Sequence, residues 1–103
     1  MKGNERMSRT EFLEKTKHYH GSVGGWDIVL NKLDLADYSL GCYYDKDNEL
    51  WKVYKIGERG LGGIRLETSS EEKALDKLYS MIEFENEVDL RYKEMEAKQK
   101  NQE

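Results

Sequence analysis

The sequence predicts an α+β domain: a three-stranded antiparallel sheet (a meander) with an N-terminal helix and a long C-terminal helix packed on it. Three observations lead there. Leu40, Cys42 and Tyr44 alternate with Ser39, Gly41 and Tyr43; Asp45-Lys46-Asp47-Asn48 has turn chemistry; a β-branched and aromatic run then spans 50–56. Ser8-Arg9-Thr10-Glu11 and Ser69-Ser70-Glu71-Glu72 both read as capping boxes. Ala74, Leu75, Leu78, Tyr79 and Ile82 then recur with the helical period.

Taken in order, residues 1–7 are polar and aperiodic, a loose terminus. A helix follows over 9–19, started by Ser8 and stopped by Gly21, Gly24 and Gly25. Residues 26–33 are ambiguous. Trp26, Val29, Leu30 and Leu33 fit a short helix, whereas the β-branched pair Ile28-Val29 suits a strand; the spacing favours helix. Residues 34–37 form a polar link into the hairpin. Gly57-Glu58-Arg59-Gly60-Leu61-Gly62-Gly63 is a Gly-rich loop, and Ile64-Arg65-Leu66-Glu67 a third strand. The last helix starts at the Ser69 cap and keeps helical composition to Met95. Beyond that the chain is Lys, Gln, Glu and Asn, an end that frays.

Composition narrows the classes. A chain of 103 residues is one domain's worth, and the single domain spans 1–103 with loose ends at 1–7 and about 95–103. Charged and hydrophobic residues each make up 37%. Seven Tyr, two Trp and two Phe set it apart from a disordered chain. No apolar run approaches the ~20 residues of a membrane helix. The start has no apolar signal core, so a cytoplasmic location is expected. A single cysteine excludes an internal disulfide framework. The net charge of −4 argues against direct nucleic-acid binding.

The charge is unevenly placed. Residues 21–50 carry two basic and six acidic side chains, while residues 51–66 carry four and one. Asp34, Asp37, Asp45, Asp47 and Glu49 share a stretch with Tyr38, Tyr43, Tyr44 and Trp51. Carboxylates among rings suit a surface that meets a basic protein partner, because rings supply contact area and carboxylates steer encounter. Turn aspartates beside core tyrosines account for the same stretch equally well.

Chemistry-bearing candidates are few. His18 and His20 sit at a helix end, where i, i+2 spacing does not bring them together, so no metal site is expected. The Gly57–Gly63 loop lacks the Gly-Lys-Ser/Thr helix start of a phosphate cradle. Cys42 reads as a buried, inert thiol. Neither an enzymatic activity nor a cofactor is expected.

The order Cys42-Tyr43-Tyr44, acidic turn, Trp51-Lys52-Val53-Tyr54, Gly57-Glu58-Arg59-Gly60, then Ser69-Ser70-Glu71-Glu72-Lys73-Ala74 resembles small bacterial immunity proteins of polymorphic toxin systems. The resemblance covers roughly residues 38–82. It implies a cytoplasmic α+β inhibitor that binds a cognate toxin domain, often a nuclease, and blocks it without chemistry. The contact candidates are Asp37, Tyr38, Tyr43, Asp45, Asp47, Glu49, Trp51, Glu58 and Arg59. A phage or mobile-element protein that inhibits a host nuclease through an acidic, nucleic-acid-like surface is the second reading; the 70–96 helix carboxylates would then carry the contact. A third is self-assembly through a seam of Leu75, Leu78, Ile82 and Met95, which Glu85 and Asp89 interrupt.

Overall fold

The structure is a computed structural model that describes residues 7–101. Helix α1 spans Arg9–Thr16 and runs into a 3₁₀ turn over Lys17–Tyr19. Five strands follow: β1 Ser22–Val23, β2 Trp26–Leu30, β3 Ser39–Asp45, β4 Leu50–Ile56 and β5 Gly62–Thr68. Helix α2 spans Glu71–Asn101. The strands form one sheet in the order β1-β2-β3-β4-β5.

The expected meander of three strands is therefore the larger part of a five-stranded, mixed sheet. β3, β4 and β5 pair antiparallel, as the hairpin pattern requires. β2 joins β3 in parallel, with Asp27 opposite Ser39 and Leu30 opposite Cys42. Residues 26–30 are thus a strand and not the start of a helix. Trp26, Ile28 and Leu30 pack on the core beneath the helices, and Val29 packs on the other side of the sheet. A strand with both faces covered reads as a continuous apolar run, which imitates a helical spacing. Gly24 and Gly25, both at positive φ, make the two-residue turn that pairs β1 with β2. Such a turn needs φ > 0 at both positions, and Gly-Gly supplies it. These glycines do not stop α1; His20, in the left-handed conformation, caps the preceding 3₁₀ turn.

One of the two expected capping serines acts, and at the second helix its neighbour takes the role. Ser8 Oγ accepts from the Glu11 N–H at 3.1 Å. At α2 the cap is Ser70, whose Oγ accepts from the Lys73 N–H at 3.2 Å, and not Ser69. The Ser70 N–H in turn donates to Thr68 Oγ1. Met7 is buried, and its N–H donates to the Glu72 carbonyl at 3.1 Å. α2 runs through the stretch past residue 95 that sequence assigns to a fraying end.

One face of the sheet carries both helices. Phe12 from α1 and Ala74, Leu75, Leu78 and Ile82 from α2 meet Leu40, Cys42 and Val53, all buried. Arg9 ties this layer together. Its guanidinium donates to Glu71 Oε2 at 2.6 and 2.9 Å and to Asn31 Oδ1 at 3.0 Å. The opposite face holds a smaller cluster of Val29, Tyr54 and Ile56, with Tyr43 against it. Tyr54 lies flat across β3, and a Cβ on Gly41 would overlap its ring. Its hydroxyl donates to the Lys32 carbonyl and accepts from the Asp34 N–H, each at 3.0 Å. Residues 31–38, the crossover from β2 to β3, are thereby pinned over the second face.

Two measurements test this packing. Gly41→Ala is expected to destabilise by about 1–3 kcal/mol in urea unfolding, because the ring cannot move without losing both hydroxyl bonds. In a Tyr54→Leu background most of that cost disappears; equal cost in both backgrounds would refute the contact. The β3–β4 turn gives a pH signature. Hydrogen bonds from Asn48 and Lys52 hold the Asp45 carboxyl down at about 2, from 3.8. A depressed pKa means that the stabilisation is complete above about pH 4 and is lost as pH falls toward 2. The melting-temperature gap between the wild type and Asp45→Asn should therefore narrow across that window.

Candidate functional site

The nine contact candidates fall into separate places. β3 and β4 run the length of the sheet between two loop ends. Asp37, Tyr38, Glu58 and Arg59 gather at the end where β3 begins and β4 finishes. Asp45, Asp47 and Glu49 stand at the opposite end, in the hairpin turn. Tyr43 and Trp51 lie on opposite faces between them, Tyr43 against Tyr54 at 6.0 Å between ring centroids. Trp51 packs on the helix-side core, with Tyr44 at 5.1 Å and the Arg9 guanidinium at 6.0 Å.

The turn end is mostly self-satisfied. Asp45 accepts from the Asp47 and Asn48 N–H groups and from Asn48 Nδ2. Lys52 Nζ sits 2.9 Å from its carboxylate and 3.3 Å from Glu67. Asp45 therefore builds the turn, while Asp47 and Glu49 present exposed carboxylates in it and Glu67 presents one beside it on β5.

The other end is assembled differently. Asp37 reaches from the crossover into the loop after β4 and accepts from the N–H groups of Arg59 at 3.1 Å and Gly60 at 2.9 Å. The loop closes on itself through Gly57 N–H to the Leu61 carbonyl at 2.6 Å and Leu61 N–H to the Glu58 carbonyl at 3.2 Å. Tyr38 donates from its hydroxyl to Glu58 Oε1 at 3.3 Å. The Glu58 charge raises the Tyr38 phenol above its ordinary value, so the hydroxyl stays protonated and able to donate. The Tyr38 ring meets Trp26 edge-on at 5.2 Å. Trp26 in turn carries the Lys55 ammonium 4.9 Å from its ring centroid.

Two features mark this corner. Tyr38 at φ 63° and Arg59 at φ 61° are non-glycine residues in the left-handed region. Each costs about 1 kcal/mol, a strain that surrounding bonds must offset. The side chains the corner presents are open to solvent: Arg59 is 85% and Glu58 66% exposed, and Leu61 is 71% exposed. Glu58 and Arg59 approach each other only to 4.0 Å, so neither is consumed by the other. The result is a hydrogen-bonded, exposed corner with one aromatic ring, one large aliphatic chain and a charge of each sign.

Trp26 and Leu61 are not among the contact candidates that the sequence suggests. The Val23-Gly24-Gly25-Trp26 step, read as a two-residue hairpin, would have placed Trp26 on a strand beside this end. Leu61 is a lone large apolar residue among glycines, which is the signal of an exposed tip.

The reactive groups lie elsewhere. Cys42 is buried, and desolvation pushes its thiol up to about 11, which keeps it protonated at neutral pH. His18 stacks on Tyr19 at 4.1 Å, and His20 is the cap. Among the described residues no group of three or more His, Cys, Asp and Glu side chains could hold a metal ion. No described helix is long and apolar enough to cross a membrane. Comparison with known proteins finds no matching family model, no similar curated protein and no similar solved structure.

Proposed function

We propose that this chain is an immunity-type binding protein, which neutralises a cognate toxin domain by covering it with the corner built on Asp37, Tyr38, Glu58, Arg59 and Leu61. The observation that carries the reading is the pair of hydrogen bonds that the Asp37 carboxylate accepts from the Arg59 and Gly60 N–H groups. It holds an exposed loop in a strained conformation before any partner arrives. Pre-organisation of this kind lowers the ordering cost of association. Tyr38 and Arg59 belong to the residue types that dominate binding energy at protein interfaces. Inhibition is by occlusion, and no bond is made or broken.

The corner also refines the partner. Its charge is mixed rather than uniformly acidic, since Asp37 is spent on backbone N–H groups. The complementary surface has an apolar pocket for Leu61 and Tyr38 flanked by groups of opposite sign for Glu58 and Arg59. Asp47 and Glu49, at the far end of the sheet, steer a basic partner at a distance and add little to the bound state.

The test is co-expression. Proteins encoded beside this chain are produced singly and together with it. One of them should arrest growth alone and be tolerated in its presence. Tyr38→Ala and Arg59→Glu should each weaken that complex about 30-fold or more in titration calorimetry. Asp37→Ala should weaken it with no change in the side chains that touch the partner. Asp47→Lys with Glu49→Lys should lower the association rate at low salt and leave dissociation unchanged. Rescue that survives the Tyr38→Ala, Arg59→Glu double variant, or the absence of any neutralised neighbour, overturns the proposal.

A further inference from the structure

Past Glu85 and Asp89, beside which the Gly24 turn passes, α2 leaves the sheet. Residues 90–99 are exposed throughout, and the molecule is 57 Å long against 37 and 22 Å in its other directions. A helical segment of this length is marginal by itself in water. It nevertheless carries large apolar side chains. Phe84, Val88, Tyr92 and Met95 are all exposed, and their spacing puts them on one side of the helix. Leu90 lies off this stripe. The seam expected from sequence is unavailable, because Leu75, Leu78 and Ile82 are buried in the core of the chain itself.

We infer that this stripe pairs with the same stripe of a second copy of the chain, antiparallel, about a two-fold axis near residue 90. Two observations select that occupant. Reversed about residue 90, the stripe maps onto itself, so Phe84 faces the partner copy's methionine end and Val88 faces its tyrosine. An isologous interface needs such self-complementarity, and a thioether against a ring is a favourable contact. The second is charge. Residues 83–89 hold Glu83, Glu85, Glu87 and Asp89 and no cation, whereas residues 90–98 hold Arg91, Lys93 and Lys98 against Glu94 and Glu96. An antiparallel pair sets each acidic segment 83–89 against 91–97, which is neutral overall and carries its cations Arg91 and Lys93 nearest the axis; a parallel pair sets acid against acid. Glu85 is engaged by Lys55, but Glu87 and Asp89 make only exposed i, i+4 pairs with Arg91 and Lys93. Such pairs are weak and readily exchanged for partners across an interface. A groove of about 350 Å³ beside Phe84, lined also by Tyr19, Ser80 and Glu83, lies where the partner copy's Met95 turn passes.

The experiment is sedimentation equilibrium of the full chain, followed by directed crosslinking. The expected mass at high concentration is twice 12.1 kDa. Val88→Glu, at an exposed helix position, should keep the circular-dichroism spectrum and weaken the dimer about tenfold or more. Orientation is read by mixing Phe84→Cys chains with Met95→Cys chains under oxidation: a mixed disulfide dimer is expected, and little from either alone. A mass of 12.1 kDa at every concentration overturns the inference. So does a dimer that survives Val88→Glu, or preferential crosslinking of Phe84→Cys to itself.

Discussion

The Tyr54 hydroxyl is the bond on which the candidate site depends. It bridges the Lys32 carbonyl and the Asp34 N–H, and so holds the crossover between two parallel strands against the sheet. The ring reaches that position only because residue 41 has no side chain. Asp34 continues the order by accepting from the Ala36 N–H, and Ser39 Oγ donates to the Ala36 carbonyl. Asp37 and Tyr38 follow directly. A glycine in the middle of one strand thus places a carboxylate that organises a loop at the sheet's end.

The helix side is held by a different balance. Burial of Phe12, Leu75, Leu78 and Ile82 supplies most of the stabilisation, at about 1.5–3 kcal/mol for each large apolar side chain. The charged groups beneath the helices contribute geometry. Lys55 Nζ and Glu85 Oε2 meet at 2.8 Å between β4 and α2, with the Trp26 and Phe84 rings beside the ammonium. A pair this shielded is nearly neutral in net stability but costly to break on one side. It therefore sets where α2 crosses the sheet, and hence where its free segment emerges.

Strain and exposure coincide at the candidate corner, as they also do singly at His20, Asn31 and Glu49. Tyr38 and Arg59 occupy backbone conformations that a solvent-exposed loop would abandon without support. The support comes from Asp37, from the internal bonds of residues 57–61 and from the Tyr38–Glu58 contact. The proposed recognition surface is therefore a hydrogen-bonded tip of mixed polarity, and Cys42 is buried away from it.

Much of the fold was legible in the sequence because the signals were local. Alternation at 39–44 and 50–56, the Asp45–Asn48 turn and the serine caps each act within a few residues, and the structure places a hairpin and two helix starts there. Two parts were not legible. β2 is covered on both faces, so its apolar run loses the period of two that marks a strand; only packing in three dimensions tells it from a helix. In sequence the candidate surface reads as one acidic-aromatic stretch because its residues are close along the chain. β3 separates them, carrying Asp37 and Tyr38 to one end and Asp45 and Asp47 to the other. By itself the sequence determined which segments turn, cap and alternate, since those depend on neighbouring side chains and backbone sterics. Only the tertiary structure decided that Asp37 is spent on backbone N–H groups, because its partners Arg59 and Gly60 lie in a loop distant in the chain. Asp34 and Asp45 instead meet N–H groups two or three residues on, as local turn chemistry allows.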